Sequence, residues 1–96
     1  KIKCIYRVDN DYQIVECQIP EILKAQSLSE ANIEETFGVK LIAVKRRRSK
    51  FNFLGSRELE YEVVNTNEET DYRFSANDRI VIYGSIRELN RLKKQL

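Results

Sequence analysis

The stretch Gly38-Val39-Lys40-Leu41-Ile42-Ala43-Val44-Lys45-Arg46 decides how the rest of the chain is read. Side chains of an extended strand alternate between its two faces. That puts Val39, Leu41 and Ala43 on one side and Ile42 and Val44 on the other. A strand with one wet face alternates apolar with polar. This one is apolar on both, so each face needs a cover. The domain's own core supplies one cover, and a further element or a second copy of the chain supplies the other.

Upstream, Ser27-Leu28-Ser29-Glu30 fits a capping box, with serine and glutamate each satisfying the other's free backbone N–H. It predicts a helix over 28–37 that buries Leu28, Ala31 and Phe37. Gly38 is placed to close that helix in the left-handed conformation and feed the chain into the strand. Further back, residues 12–19 alternate, with Val15, Cys17 and Ile19 inward and Glu16 and Gln18 outward, until Pro20 stops the strand. Residues 3–8 read as a short strand or an ordered linker, ended by Asp9-Asn10-Asp11.

Downstream, residues 46–60 are the least regular part, a loop or hairpin arm in which Phe51, Phe53 and Leu54 carry more apolar weight than a solvated loop needs. Residues 61–65 alternate as a strand, 72–74 form a short extended piece, and 79–83 are again apolar on both faces. Ser85 and Glu88 suggest a second capping box, and Ile86, Leu89, Leu92 and Leu96 recur at helical spacing. The expected fold is a small α+β sandwich of order β-α-β-β-β-α, with two helices against a mixed or antiparallel sheet. Residues 1–11 are expected to be a linker or strand from a preceding domain, and 12–96 the domain proper. The opening Lys1, followed at once by strand-like sequence, reads as the start of a piece of a longer protein.

Composition narrows the function classes. With 96 residues the chain suits one domain. Seventeen basic residues against 15 acidic give a net charge of +2, too small to argue for nucleic acid by itself. The apolar runs reach about four residues, far from the roughly 20 of a membrane helix. With no histidine, Cys/His zinc sites and Ser/His or Cys/His nucleophile pairs are excluded. Cys4 and Cys17, both within strand patterns, read as reduced, buried thiols. No catalytic constellation is present, so a binding or regulatory module is expected rather than an enzyme.

Several motifs then resemble one family in order and spacing. Ser27-Leu28-x-Glu30-x-Asn32, Phe37-Gly38-Val39 and Leu41-Ile42-Ala43-Val44-Lys45-Arg46 resemble the first half of the TrkA-C domain. Asp71-Tyr72-x-Phe74 and Asn77-Asp78-Arg79-Ile80-Val81-Ile82-Tyr83-Gly84-Ser85 resemble its second half. This is the C-terminal module of regulators of potassium conductance, and the likeness spans about residues 12–92. It implies a cytoplasmic regulatory domain that follows a nucleotide-binding domain, works as a homodimer, and acts indirectly on a membrane potassium channel or transporter. It also implies a small effector at the dimer interface, cyclic di-AMP in some family members, with no other cofactor in this stretch. On that basis Leu41 and Ile42 are candidates to line the ligand cleft, and Lys45 and Arg46 to meet phosphate. The residues alone are also compatible with core and interface packing at Leu41 and Ile42, with Lys45 and Arg46 on a solvated strand end. The pattern departs from the family at Ala25-Gln26, where the family often has glycine, at residues 47–60, where it has a short turn, and at residues 65–69, where it has proline.

Other motifs carry less. The basic block at 45–50 with its neighbouring phenylalanines suits nucleic acid, through phosphates and base stacking, or anionic lipid, but such a block is more often a solvated loop, and nucleic acid is not expected as a partner. Glu68, Glu69 and Asp71 match no calcium loop and read as an acidic turn. Gly84-Ser85 lacks the further glycines and lysine of a phosphate loop and reads as a helix cap.

Overall fold

The computed structural model describes residues 2–96; Lys1, the first residue of the expected connecting segment, lies outside the described residues. Five strands form one antiparallel sheet: β1 (Ile2–Arg7), β2 (Tyr12–Gln18), β3 (Lys40–Phe51), β4 (Arg57–Val63) and β5 (Arg79–Ser85). Their order across the sheet is β1-β2-β5-β3-β4. Between β2 and β3 lie a single 3₁₀ turn (Glu21–Leu23) and two short helices, α1 (Leu28–Ala31) and α2 (Ile33–Phe37); α3 (Ile86–Lys93) follows β5. From Tyr12 onward the order is strand, helix pair, three strands, helix, in a small α+β fold.

The central strand is β5, with β3 beside it, and the two-faced apolar pattern of β3 has a different cause from the expected one. Leu41 pairs with Ile82 and Ala43 with Val81, leaving Ile42 as an extra residue in a β-bulge. The bulge moves the core-facing set by one position. Val39 and Val44 are therefore both buried, at 3% and 0% exposure, and Ile42, at 51%, is not.

One face of the sheet carries the core. Val15, Cys17, Val44, Ile80 and Ile82 pack there against Leu23, Ala31, Phe37, Leu89 and Leu92. The expected helix over 28–37 is two helices, because Asn32 takes a left-handed conformation (φ 40°) that its short polar side chain tolerates. The capping box at its start is present in both directions, and Gly38 ends α2 at φ 70°. The second box is only half made. Ser85 Oγ accepts from the Glu88 amide at 3.2 Å, while the Glu88 carboxylate pairs with Arg91 at 3.2 Å.

Residues 64–78 return the chain across the helical side. Leu28 N donates to Tyr72 O, Phe74 N to Gln26 O, and Ala25 N to Phe74 O, which makes the short extended piece a clamp on the entry to α1. Asp78 is 2% exposed and accepts from the Tyr72 hydroxyl at 2.7 Å and from Ser75 N at 2.9 Å. Burial, and then the Asp78 carboxylate, push the Tyr72 hydroxyl well above the usual tyrosine range.

One further expectation is corrected, and one open alternative is resolved. Cys4 is exposed, because β1 is an edge strand whose outer side has no neighbour; only Cys17 is buried. The irregular stretch at 46–60 is regular: β3 runs on to Phe51 and pairs with β4 from Lys45–Val63 out to Phe51–Arg57. Of the two alternatives for this stretch, loop or hairpin arm, the structure has the hairpin arm, whose β3 cations alternate in step with cross-strand carboxylates. This two-stranded arm lies at the sheet edge opposite β1, in a molecule measuring 46 × 28 × 24 Å.

Candidate functional site

The four sequence candidates leave β3 in different directions. Leu41 is half-buried against the core and lines a small cleft of about 280 Å³ with Leu28, Ile33 and Thr66. Ile42 sits exposed on the bulge. Beyond the bulge regular alternation resumes, so Lys45 and Arg46 fall on opposite faces of the sheet.

Lys45 lies on the face away from the helices, where register puts it beside Arg79 of β5. Both grip Glu16 of β2: Lys45 Nζ donates to Oε1 at 2.7 Å and Arg79 Nε to Oε2 at 2.7 Å. These bonds, that of Lys45 first, hold the Glu16 carboxyl below its ordinary value against the opposing effect of burial. Arg46, on the helical side, donates to Glu62 at 2.7 Å and Glu69 at 2.9 Å. Its guanidinium lies 5.8 Å above the centre of the Tyr72 ring. Both proposed phosphate contacts are thus already ion-paired, and a single chain does not bring them together.

The same holds along the basic block. Arg48 pairs with Glu62 at 3.0 Å and Lys50 with Glu60 at 3.2 Å. The carboxylates of β4 alternate in step with the cations of β3, which neutralises most of what the sequence shows as a basic run.

A larger cleft of about 450 Å³ opens where β5 runs into α3. Tyr12 and Tyr83 stack across one wall, with ring centres 5.5 Å apart and planes 14° from parallel. Glu34, Lys40 and Glu88 supply its charge. Gly84 lets β5 approach β3 there: a Cβ on it would come 2.7 Å from Val39 Cγ1. Two of the first three amides of α3 are already taken, Ile86 N by Asp11 O and Glu88 N by Ser85 Oγ. With two carboxylates to one lysine and two of its helix amides occupied, this cleft suits the flat apolar part of a ligand better than a phosphate.

The sequence reading did not single out the Tyr12–Tyr83 stack. The available signal was two tyrosines at outward positions of strands that are otherwise core-forming. Among the described residues no cluster of carboxylates and thiols has metal-binding geometry, and no helix is long and apolar enough to cross a membrane. The chain matches no family model and no curated protein.

Proposed function

We propose that the chain is a TrkA-C-like regulatory domain of a potassium channel or transporter subunit, acting as a homodimer that senses a small effector. In this reading it sits in the cytoplasm behind a nucleotide-binding domain of the parent chain. The observation that carries the proposal is the position of the uncovered apolar surface. Ile5, Tyr6, Val8 and Tyr12 are all exposed on the β1–β2 side, and Tyr12 also forms a wall of the 450 Å³ cleft. A second copy covering that patch would close the open side of the cleft, so that ligand and dimer geometry become linked. An effector with different affinities for two dimer arrangements then shifts their populations.

Two further features support the family reading. Ala25 is held at φ 67°, a backbone state suited to the glycine that TrkA-C domains often carry before the helix. The element order from Tyr12 is also the one expected of that family.

A specific observation favours a second reading, ligand-free dimerisation: Lys45 and Arg46 are tied to carboxylates on opposite faces. Two measurements separate the readings. Light scattering should give the mass of two chains, reduced to one in Tyr12→Asp. Calorimetric titration with cyclic di-AMP should saturate at one ligand per two chains and be lost in Tyr83→Ala, which removes half of the stacked wall of the cleft and leaves the core intact. A dimer without heat moves the function to dimerisation alone, and a monomer at all concentrations overturns both readings.

A further inference from the structure

The arm has two unlike faces and an unusual tip. Toward the helical side it presents the ladder of Arg46, Arg48 and Lys50 with Glu58, Glu60 and Glu62. The other face carries Arg47, Ser49 and Phe51 opposite Tyr61, Leu59 and Arg57, with no carboxylate among its described residues. Arg57 lies over the Phe51 ring, 5.6 Å from its centre.

Asn52 builds the tip. Its side-chain oxygen accepts from Leu54 N at 2.9 Å and Ser56 N at 3.0 Å, and its backbone N–H donates to Ser56 O at 2.9 Å. Its amide nitrogen donates to Glu58 at 3.1 Å, and Gly55 takes the left-handed turn position at φ 83°. This ordered turn holds Phe53 and Leu54 outward, 96% and 75% exposed, next to the exposed Phe51.

We infer that the arm tip is an anchor for an anionic lipid bilayer, with Phe53 and Leu54 entering the acyl boundary and Arg47 and Arg57 meeting headgroup phosphates. The charge decides the occupant. Residues 45–63 carry six cations against three carboxylates, and those carboxylates are already bonded to Arg46, Arg48, Lys50 and Asn52. The apolar face is therefore both greasy and cationic. A second arm laid on it would set Arg47 and Arg57 against like charges with nothing to neutralise them. An anionic bilayer offers an apolar interior and a negative surface within one side-chain length of each other. A single-stranded nucleic acid would use the ring faces and leave Leu54, which cannot stack on bases, in water.

The test is cosedimentation of the intact chain with vesicles of equal parts phosphatidylcholine and phosphatidylglycerol, beside vesicles of phosphatidylcholine alone. Binding is expected only to the anionic vesicles and should weaken with salt. It should fall to background in a Phe53→Ser, Leu54→Ser double variant, and by about fivefold for each of Arg47→Gln and Arg57→Gln. These positions are exposed, so an unchanged circular dichroism spectrum and Tm serve as the folding control. The chain has no tryptophan, so a Phe53→Trp variant gives a clean emission signal that should shift to the blue with anionic vesicles alone. No pelleting at low salt, equal pelleting by the double variant, or an unshifted emission each overturns the proposal. So does loss of self-association in the double variant without any vesicle binding, or salt-sensitive binding of single-stranded DNA in place of lipid.

Discussion

Leu41 and Val44 face Ile82 and Ile80, core positions two residues apart on β5, although they are themselves three apart on β3. The bulge at Ile42 takes up the difference, and it sets which later side chains face the helices. Val44 is fully buried whereas Ile42 is half in solvent, so the two should respond very differently to truncation. Val44→Ala is expected to cost about 2 kcal/mol, the lost burial plus a cavity, and Ile42→Ala less than about 0.5 kcal/mol. Urea unfolding of both variants checks this. Equal losses would mean that β3 alternates regularly.

Glu16 links β2 to both of its long-range cations, and its carboxyl is held low by the bond from Lys45, then that from Arg79, against desolvation. A group depressed in the folded state binds fewer protons there than when unfolded. It contributes stability above its ordinary value of 4.5, and that contribution is lost as pH falls through the lower folded value. Glu30 and Glu62 are shifted in the same direction by Ser27 and Arg46. Stability should therefore fall on acidification below the ordinary carboxylate range. Glu16→Gln should cost about 1–2 kcal/mol at neutral pH and flatten that acid limb. Thermal unfolding between pH 3 and pH 7 measures both effects, roughly the interval over which carboxylates titrate. An unchanged slope in the variant would remove Glu16 from the account.

Much of the fold was legible because local signals agreed with it. The Ser27–Glu30 box, the left-handed Gly38 and the inward Val15-Cys17-Ile19 register all rest on near neighbours in sequence. Features set by distant partners were not legible. The bulge depends on the register of β3 against β5, and the exposure of Cys4 on β1 being an edge strand. The order within the arm depends on β4 carboxylates standing opposite β3 cations, which a one-dimensional reading sees as a basic run followed by an acidic one. The candidate site suffered the same way. Lys45 and Arg46 are neighbours in sequence, and the alternation of a strand sends them to opposite faces.

The two cysteines offer a chemical check on the edge assignment. Burial pushes the Cys17 thiol up to about 11, leaving almost no thiolate at neutral pH to react. Cys4 is exposed. Titration with a thiol-reactive dye should count one fast thiol per native chain and two in denaturant, and Cys4→Ser should abolish the fast phase. Two fast thiols would mean that the core face of β2 opens on the timescale of labelling.

Ala25 and Gly38 bracket the helix pair, and both adopt left-handed backbone, at φ 67° and 70°. A residue with a Cβ is strained there by roughly 1 kcal/mol, while glycine is not. Ala25 bears that strain because the clamp from Phe74, which accepts its N–H at 3.0 Å, fixes its position at the entry to α1. Ala25→Gly should therefore raise stability by up to about 1 kcal/mol, with the gain trimmed by the greater entropy of glycine in the unfolded chain. Gly38→Ala should lower it by at least as much, since a Cβ there meets the Glu88 carboxylate at 3.1 Å as well as the unfavourable backbone state. Opposite shifts in Tm for these two exchanges would tie the effect to backbone conformation rather than to helix propensity, which favours alanine at both sites. A lower Tm for Ala25→Gly would mean that the clamp does not hold Ala25 in the left-handed state.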